Sequence, residues 1–207
     1  MLYPCRRDYN IRQFYREETY QLYMKAKAAF CKYLKEHNIK YHECLFDGDP
    51  CVAMLFNGYE NCPDKVLESC VYFWKDCIEA RVYYTETGAK WCRNSKHTNE
   101  IYRLMNFVNA KVWPQLEDRI EGTLYTSSHL STIRYYITED GHSDITSTTV
   151  IPTDYFIEAQ LEFGDMITAM MPDIMNQLSP YIFMILLGKI EVEEAISGIR
   201  TNILMEV

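Results

Sequence analysis

Ala29-Phe30-Cys31-Lys32-Tyr33-Leu34 runs through His37 into Ile39-Lys40-Tyr41, turns at Asp47-Gly48-Asp49-Pro50 and returns as Val52-Ala53-Met54-Leu55-Phe56. This stretch decides the fold class. Tyr23, Ala26, Phe30 and Leu34 recur at three- and four-residue intervals, which predicts an amphipathic helix over about Arg12 to His37. The two segments that follow are extended. Asp47-Gly48 between them favours a tight antiparallel hairpin, because both residues tolerate positive φ.

Working outward, Leu67 to Trp74 and Ile78 to Tyr84 read as further strands. Ile78, Ala80, Val82 and Tyr84 share one face of the second, and Glu79, Arg81 and Tyr83 share the other. A second helix is expected from His97 to Val112, with Ile101, Leu104, Met105, Val108 and Val112 as its buried stripe and Pro114 beyond its end. Strands follow at Ile120 to Tyr125, Thr132 to Thr138 and Asp144 to Ile151, the last two joined by a hairpin at Asp140-Gly141. Thr153 reads as a helix cap with Asp154 in the first turn, and the chain stays helical to its end, punctuated by Pro172, Pro180 and Gly188. Helix, strands, helix, strands, helices is the order of an α+β protein with a twisted antiparallel sheet covered by helices. The expected organisation is one α+β domain over 1–171 and a helical C-terminal extension over 172–207.

Composition narrows the function classes. The chain has 207 residues, 48% hydrophobic and 14% aromatic, enough to build a core. A net charge of -8 argues against nucleic-acid binding, which needs clustered Lys and Arg, and favours partners with basic segments. The densest basic stretch, Lys90, Arg93 and Lys96, reads as a solvated loop. The N-terminal residues lack the apolar core of a signal peptide, and Tyr181 to Leu187 is too short to cross a bilayer, so a soluble cytoplasmic protein is expected. The eight cysteines lie largely within apolar patterns, as small buried hydrophobes do. No C-x-x-C occurs, and the spacing of Cys44/Cys51 and Cys70/Cys77 matches no common zinc signature.

The same order of elements resembles the bacterial YbjN-type domain, whose fold is similar to that of type III secretion chaperones. The resemblance covers about Tyr23 to Met171. It rests on Phe30-x-x-Tyr33-Leu34 with Ile39-x-Tyr41, and on Val52-x-Met54-x-Phe56-x-Gly58. It continues through the helix bearing Asn106 and Asn109, and through Gly122-x-Leu124-Tyr125 leading into Ile133-x-Tyr135. It implies a helix-covered twisted sheet and a non-enzymatic role in binding other proteins.

No motif in the chain performs chemistry. His142 stands beside Asp144 at a hairpin turn, and His129 among Ser127, Ser128 and Ser131. Neither has an oxyanion-hole or nucleophile-elbow sequence around it, so both read as polar loops. Cys92, next to Arg93, is the best-placed reactive thiol, with an exposed loop cysteine as the plainer reading. Glu191, Glu193 and Glu194 read as the start of a helix, and Asn106 and Asn109 as side chains bonding to a neighbouring strand or loop. Phosphate-binding glycine loops are missing. No catalytic, cofactor-binding or metal-ligating residue is assigned.

Two functions are set against each other. The leading one is a non-catalytic protein-interaction module, either chaperone-like or a regulatory adaptor. It acts through a sheet face or edge, and Met170, Met171, Tyr181, Phe183 and Leu186 form a partner-binding or homodimer surface. The dimer follows from Tyr181 to Leu187, whose all-round apolar character demands cover beyond one sheet. The alternative is a small-ligand receptor or enzyme with a pocket between sheet and helices, lined by Tyr72, Trp74, Arg81 and Tyr83.

Overall fold

The computed structural model describes residues 9–112, 115–117, 124–126 and 132–206, with side chains over 22–112 and 132–206. Helix α1 spans Tyr9–Glu36. It ends as its sequence dictates: Asn38 takes the left-handed conformation at φ 57°. Ile39 N–H reaches Leu34 C=O at 2.8 Å and Asn38 N–H reaches Lys35 C=O at 3.2 Å. Those two bonds make a Schellman cap, and they aim Ile39 back at Leu34 and the chain into the sheet.

Four strands then meander: β1 (Tyr41–Phe46), β2 (Asp49–Asn57), β3 (Val66–Phe73) and β4 (Cys77–Tyr84). Asp47 and Gly48 both have positive φ (51° and 91°), the primed turn expected there. Helices α2 (Glu86–Asn94) and α3 (Thr98–Lys111) leave the sheet, and a short hairpin pairs β5 (Gln115–Glu117) with β6 (Leu124–Thr126). The chain re-enters with β7 (Arg134–Ile137) and β8 (Ile145–Pro152). The main sheet has six strands in the order β1-β2-β3-β4-β8-β7, and every pairing is antiparallel. The strand expected from Ile120 lies largely outside the described residues.

Helices α4 (Thr153–Glu158) and α5 (Gln160–Asp165) follow β8, and a single π turn at Met166–Met170 joins α5 to α6 (Met171–Leu186). Helix α7 (Val192–Asn202) closes the described chain. Gly188, at φ 64°, ends α6 with the same two-bond cap, Lys189 N–H to Met184 C=O and Gly188 N–H to Ile185 C=O. No described helix is long and apolar enough to cross a membrane.

Register puts Val52, Met54 and Phe56 of β2 beside Leu67, Val71 and Phe73 of β3, then Ile78, Ala80, Val82 and Tyr84 of β4. All are buried under the helices. The core cluster continues without a break through Phe163, Met171, Leu178 and Phe183 to Ala195 and Ile199. The boundary expected at 171/172 falls one residue inside α6, and the core cluster includes residues on both sides of it. Helix α6 is the centre of the helical layer. Tyr84 anchors it, its buried hydroxyl donating to Met175 C=O at 2.7 Å.

Three local expectations are corrected. The 86–94 segment, with its basic Lys90 and Arg93, is helix α2 rather than loop, with Gly88, Ala89 and Cys92 buried. Gly88 is needed there, because a Cβ would lie 2.7 Å from Tyr84 Cβ and 3.2 Å from the Phe183 ring. Thr153 does not cap α4: Pro152 holds that position, the Thr153 hydroxyl is buried without a partner among the described residues, and Asp154 accepts from Tyr155 N–H instead. The third concerns the apolar run Tyr181–Leu187, taken up below.

Candidate functional site

An open antiparallel sheet has two edges and two faces, and these differ sharply here. At the β7 edge, Asn109 of α3 lies alongside the strand. Its Nδ2 donates to Tyr135 C=O at 2.9 Å and its Oδ1 accepts from Tyr135 N–H at 2.7 Å. One amide therefore occupies both outward backbone groups of a residue on that edge, as the structural reading of Asn109 expected. Asn106 is exposed.

The opposite edge is β1. Phe46 and Asp49 flank a two-residue turn and so form a hydrogen-bonded pair; the alternation then directs Cys44 and His42 inward to β2. Tyr41, Glu43 and Leu45 consequently turn their N–H and C=O groups outward. Leu45 is 73% exposed and Phe46 48%. Beneath this edge, on the helix side, α1 and β1 enclose an open groove of about 380 Å³ lined by Met24, Lys27, Ala28, Cys31, Lys32, Lys35 and Glu43. Lys27 Nζ meets Glu43 Oε2 at 2.6 Å across it. That hydrogen bond raises the lysine pKa and lowers that of the carboxyl. Lys32 reaches Glu36 only at 3.7 Å with both side chains exposed, an ion pair of little strength. The groove is thus lined by three lysines against one carboxylate, a local excess of positive charge on a chain of net charge -8.

The sheet face turned away from the helices carries Tyr72, Trp74, Arg81 and Tyr83. The structure brings all four together, but not in a pocket between sheet and helices. They lie on the other side, because residues alternate along β3 and β4 and the helix-facing positions are Val71, Phe73, Ala80 and Val82. Tyr72 and Trp74 stack with ring centroids 5.4 Å apart, and Arg81 lies over the Tyr72 ring at 5.1 Å. Glu79 ties the group down, accepting from Trp74 Nε1 at 2.9 Å and Arg81 Nε at 2.7 Å. The guanidinium and indole are already bonded within the platform, which suits a rigid surface better than a receptor for a polar ligand.

Beside the platform, the sheet assembles three thiols that sequence spacing leaves unconnected. Cys44 and Cys51 are directly opposed in the β1–β2 ladder, with their Sγ atoms 2.7 Å apart, and Cys70 is opposite Ala53 on β3. All three Sγ atoms lie within 4.8 Å of one another. Burial and the neighbouring thiols push the Cys51 pKa far up, and burial raises that of Cys70. Symmetry about the Asp47-Gly48 turn was a readable signal for the first pair. The arrival of Cys70 was not, since the long connection from Asn57 to Val66 hides the β2–β3 register.

The remaining candidates fall away on position. Met170, Met171, Phe183 and Leu186 are buried, and Tyr181 is half-buried. The apolar run is covered by the protein's own elements: Phe183 packs edge-on against Tyr84 and Trp91, and Asn202 of α7 donates to Tyr181 Oη at 2.9 Å. Only Met184 and Leu187 of the run are substantially exposed, at 36% and 50%. Cover of this run does not require a second copy of the chain. Cys92 is fully buried and burial raises its pKa, outweighing Arg93, so it is not a reactive thiol. His142 is exposed at the β7–β8 turn, while Ser127, Ser128, His129 and Ser131 lie outside the described residues. Glu193 and Glu194 occupy the first turn of α7, where helix-start carboxylates belong. No family model, curated protein or solved structure matches the chain.

Proposed function

We propose that the protein is a non-catalytic interaction module of the YbjN/secretion-chaperone-like class, which takes up an extended acidic peptide as an added strand on β1. One observation carries this reading: among the described residues, the sheet has one edge engaged by Asn109 and one edge without a strand partner beside a lysine-lined groove. A strand paired to Tyr41, Glu43 and Leu45 gains backbone hydrogen bonds irrespective of sequence. Its alternate side chains descend on the helix side towards Lys27, Lys32 and Lys35, so glutamate or aspartate at every second position gives selectivity. Exposed Leu45 and Phe46 supply apolar contact at the hairpin end.

The test uses the full chain and two fluorescent peptides of alternating sequence, Val-Glu and Val-Lys, read by anisotropy. Saturable binding of the Val-Glu peptide is expected, weakening as salt screens the groove. Leu45→Pro removes an outward N–H while leaving the β1–β2 bonds intact, and should weaken binding at least about tenfold, or 1.4 kcal/mol. Equal binding of both peptides, or an unchanged affinity in the proline variant, rejects strand addition at this edge.

A further inference from the structure

The geometry points to Cys44, Cys51 and Cys70 as a three-sulfur site for a soft, thiophilic metal ion, with copper(I) as the ion that fits. Adjacent antiparallel strands deliver all three side chains to one face, and register fixes them there: Cys44 opposes Cys51, and Cys70 opposes Ala53, two positions along. Their Sγ atoms are mutually within 4.8 Å, close enough to share one ion. Cys51 and Cys70 are 2% and 7% exposed, whereas Cys44 is half-buried at the sheet edge and gives the ion its way in.

The donor set decides the metal. Thiolates select Cu(I), Zn(II) and iron–sulfur clusters over the harder ions. Structural zinc wants four protein ligands in a tetrahedron, and no described histidine or carboxylate joins this cluster. A d10 ion content with three sulfurs is the better match. Binding is a balanced exchange with no redox step: three thiols form three metal–sulfur bonds and release three protons, so affinity rises with pH. The single positive charge of Cu(I) offsets one of the three thiolate charges, leaving a net charge of -2 on the site. The Tyr72 hydroxyl and the Arg81 charge both favour the thiolate of Cys70, which gives the site its outer support.

The site is independent of peptide capture, although Cys44 lies on the same strand. The experiment titrates fully reduced, full-length protein with Cu(I) under anaerobic conditions, against a chromophoric Cu(I) chelator as competitor. One equivalent per chain is expected, with an ultraviolet sulfur-to-copper charge-transfer band. Cys44→Ser, Cys51→Ser and Cys70→Ser should each weaken retention at least about a hundredfold, while Cys31→Ser and Cys77→Ser leave it unchanged. Cys44 is half-buried, so its serine variant keeps the fold, as circular dichroism will register. X-ray absorption on the wild-type complex, counting three sulfur neighbours, checks the site without any mutation. Equal retention by Cys44→Ser, a stoichiometry following the whole thiol complement, or one equivalent of Zn(II) bound where Cu(I) is not, each overturns the assignment.

Discussion

At the scale of single residues, Tyr33 shows how a half-polar side chain can fasten two helices. Its ring faces Phe30 on its own helix and His37 just past that helix's end, and Gly164 of α5 leaves room for it. A Cβ on Gly164 would come within 2.6 Å of that ring. The hydroxyl donates to Asp165 at 2.7 Å and lies 3.1 Å from Thr168 Oγ1. Burial, with Asp165 adding to it, pushes the phenol pKa from 10.0 up to about 12. The sign follows from proton linkage. The unfolded chain loses this proton near pH 10 while the folded one holds it, so the stability this group contributes is fully present below pH 10 and is lost as pH rises to about 12. Stability should therefore fall between pH 10 and about 12, with Tyr59, raised likewise to about 12, contributing in the same window. Urea unfolding at stepped pH checks this. Tyr33→Phe should unfold more readily at pH 8 yet show a shallower alkaline decline, and an identical slope in the variant would exclude Tyr33 as a source.

At the scale of elements, α6 separates what the sequence pattern could reveal from what it could not. Its apolar character all round was plain from Tyr181 to Leu187, and so was the need to cover more than one side. The cover comes from α2, α3 and α7, and two of these were hard to read. Helix α2 buries only Gly88, Ala89 and Cys92 over nine residues, too narrow a stripe to stand out between basic side chains. The α7 stripe of Val192, Ala195 and Ile199 is clear in itself, but nothing local says against which surface it packs. By contrast, the helix–hairpin unit at Phe30 to Phe56 was legible down to its turn, because Asp47-Gly48 encodes backbone conformation directly, whereas the Asn38 cap emerged only in the structure. Distinguishing core from interface is then a matter for experiment. Phe183→Ala should cost about 3–5 kcal/mol, the range for deleting a buried aromatic ring. Phe183→Asp with Leu186→Asp should abolish the folded far- and near-ultraviolet circular dichroism. Folded monomers in the double variant would return these side chains to an intermolecular surface.

At the scale of the whole molecule, the two edges of the sheet set its behaviour. An open edge invites pairing with any extended chain, and natural proteins manage that hazard case by case. Here α3 brings Asn109 to the β7 edge, where its amide imitates one residue of a neighbouring strand in both directions. Among the described residues, the other edge has a hairpin, an overhanging lysine groove and one ion pair. Under the proposed strand addition, this asymmetry would make the protein directional, with a strand position at β1 and none at Tyr135 of β7. Asn109→Ala should undo the refusal. It leaves the outward N–H and C=O of Tyr135 without their partner, at a cost of about 1–3 kcal/mol where water cannot replace it fully. It also exposes a second pairing edge, so self-association should rise with concentration. Asn109→Asp keeps the acceptor for Tyr135 N–H but places a carboxylate against Tyr135 C=O, and should lie nearer to the alanine variant than to the wild type in stability. Light scattering across a concentration series, paired with hydrogen exchange at the Tyr135 amide, reads both effects. If the alanine variant matches the wild type in size distribution and in protection of that amide, Asn109 does not guard the edge, and the directionality of the sheet must come from elsewhere.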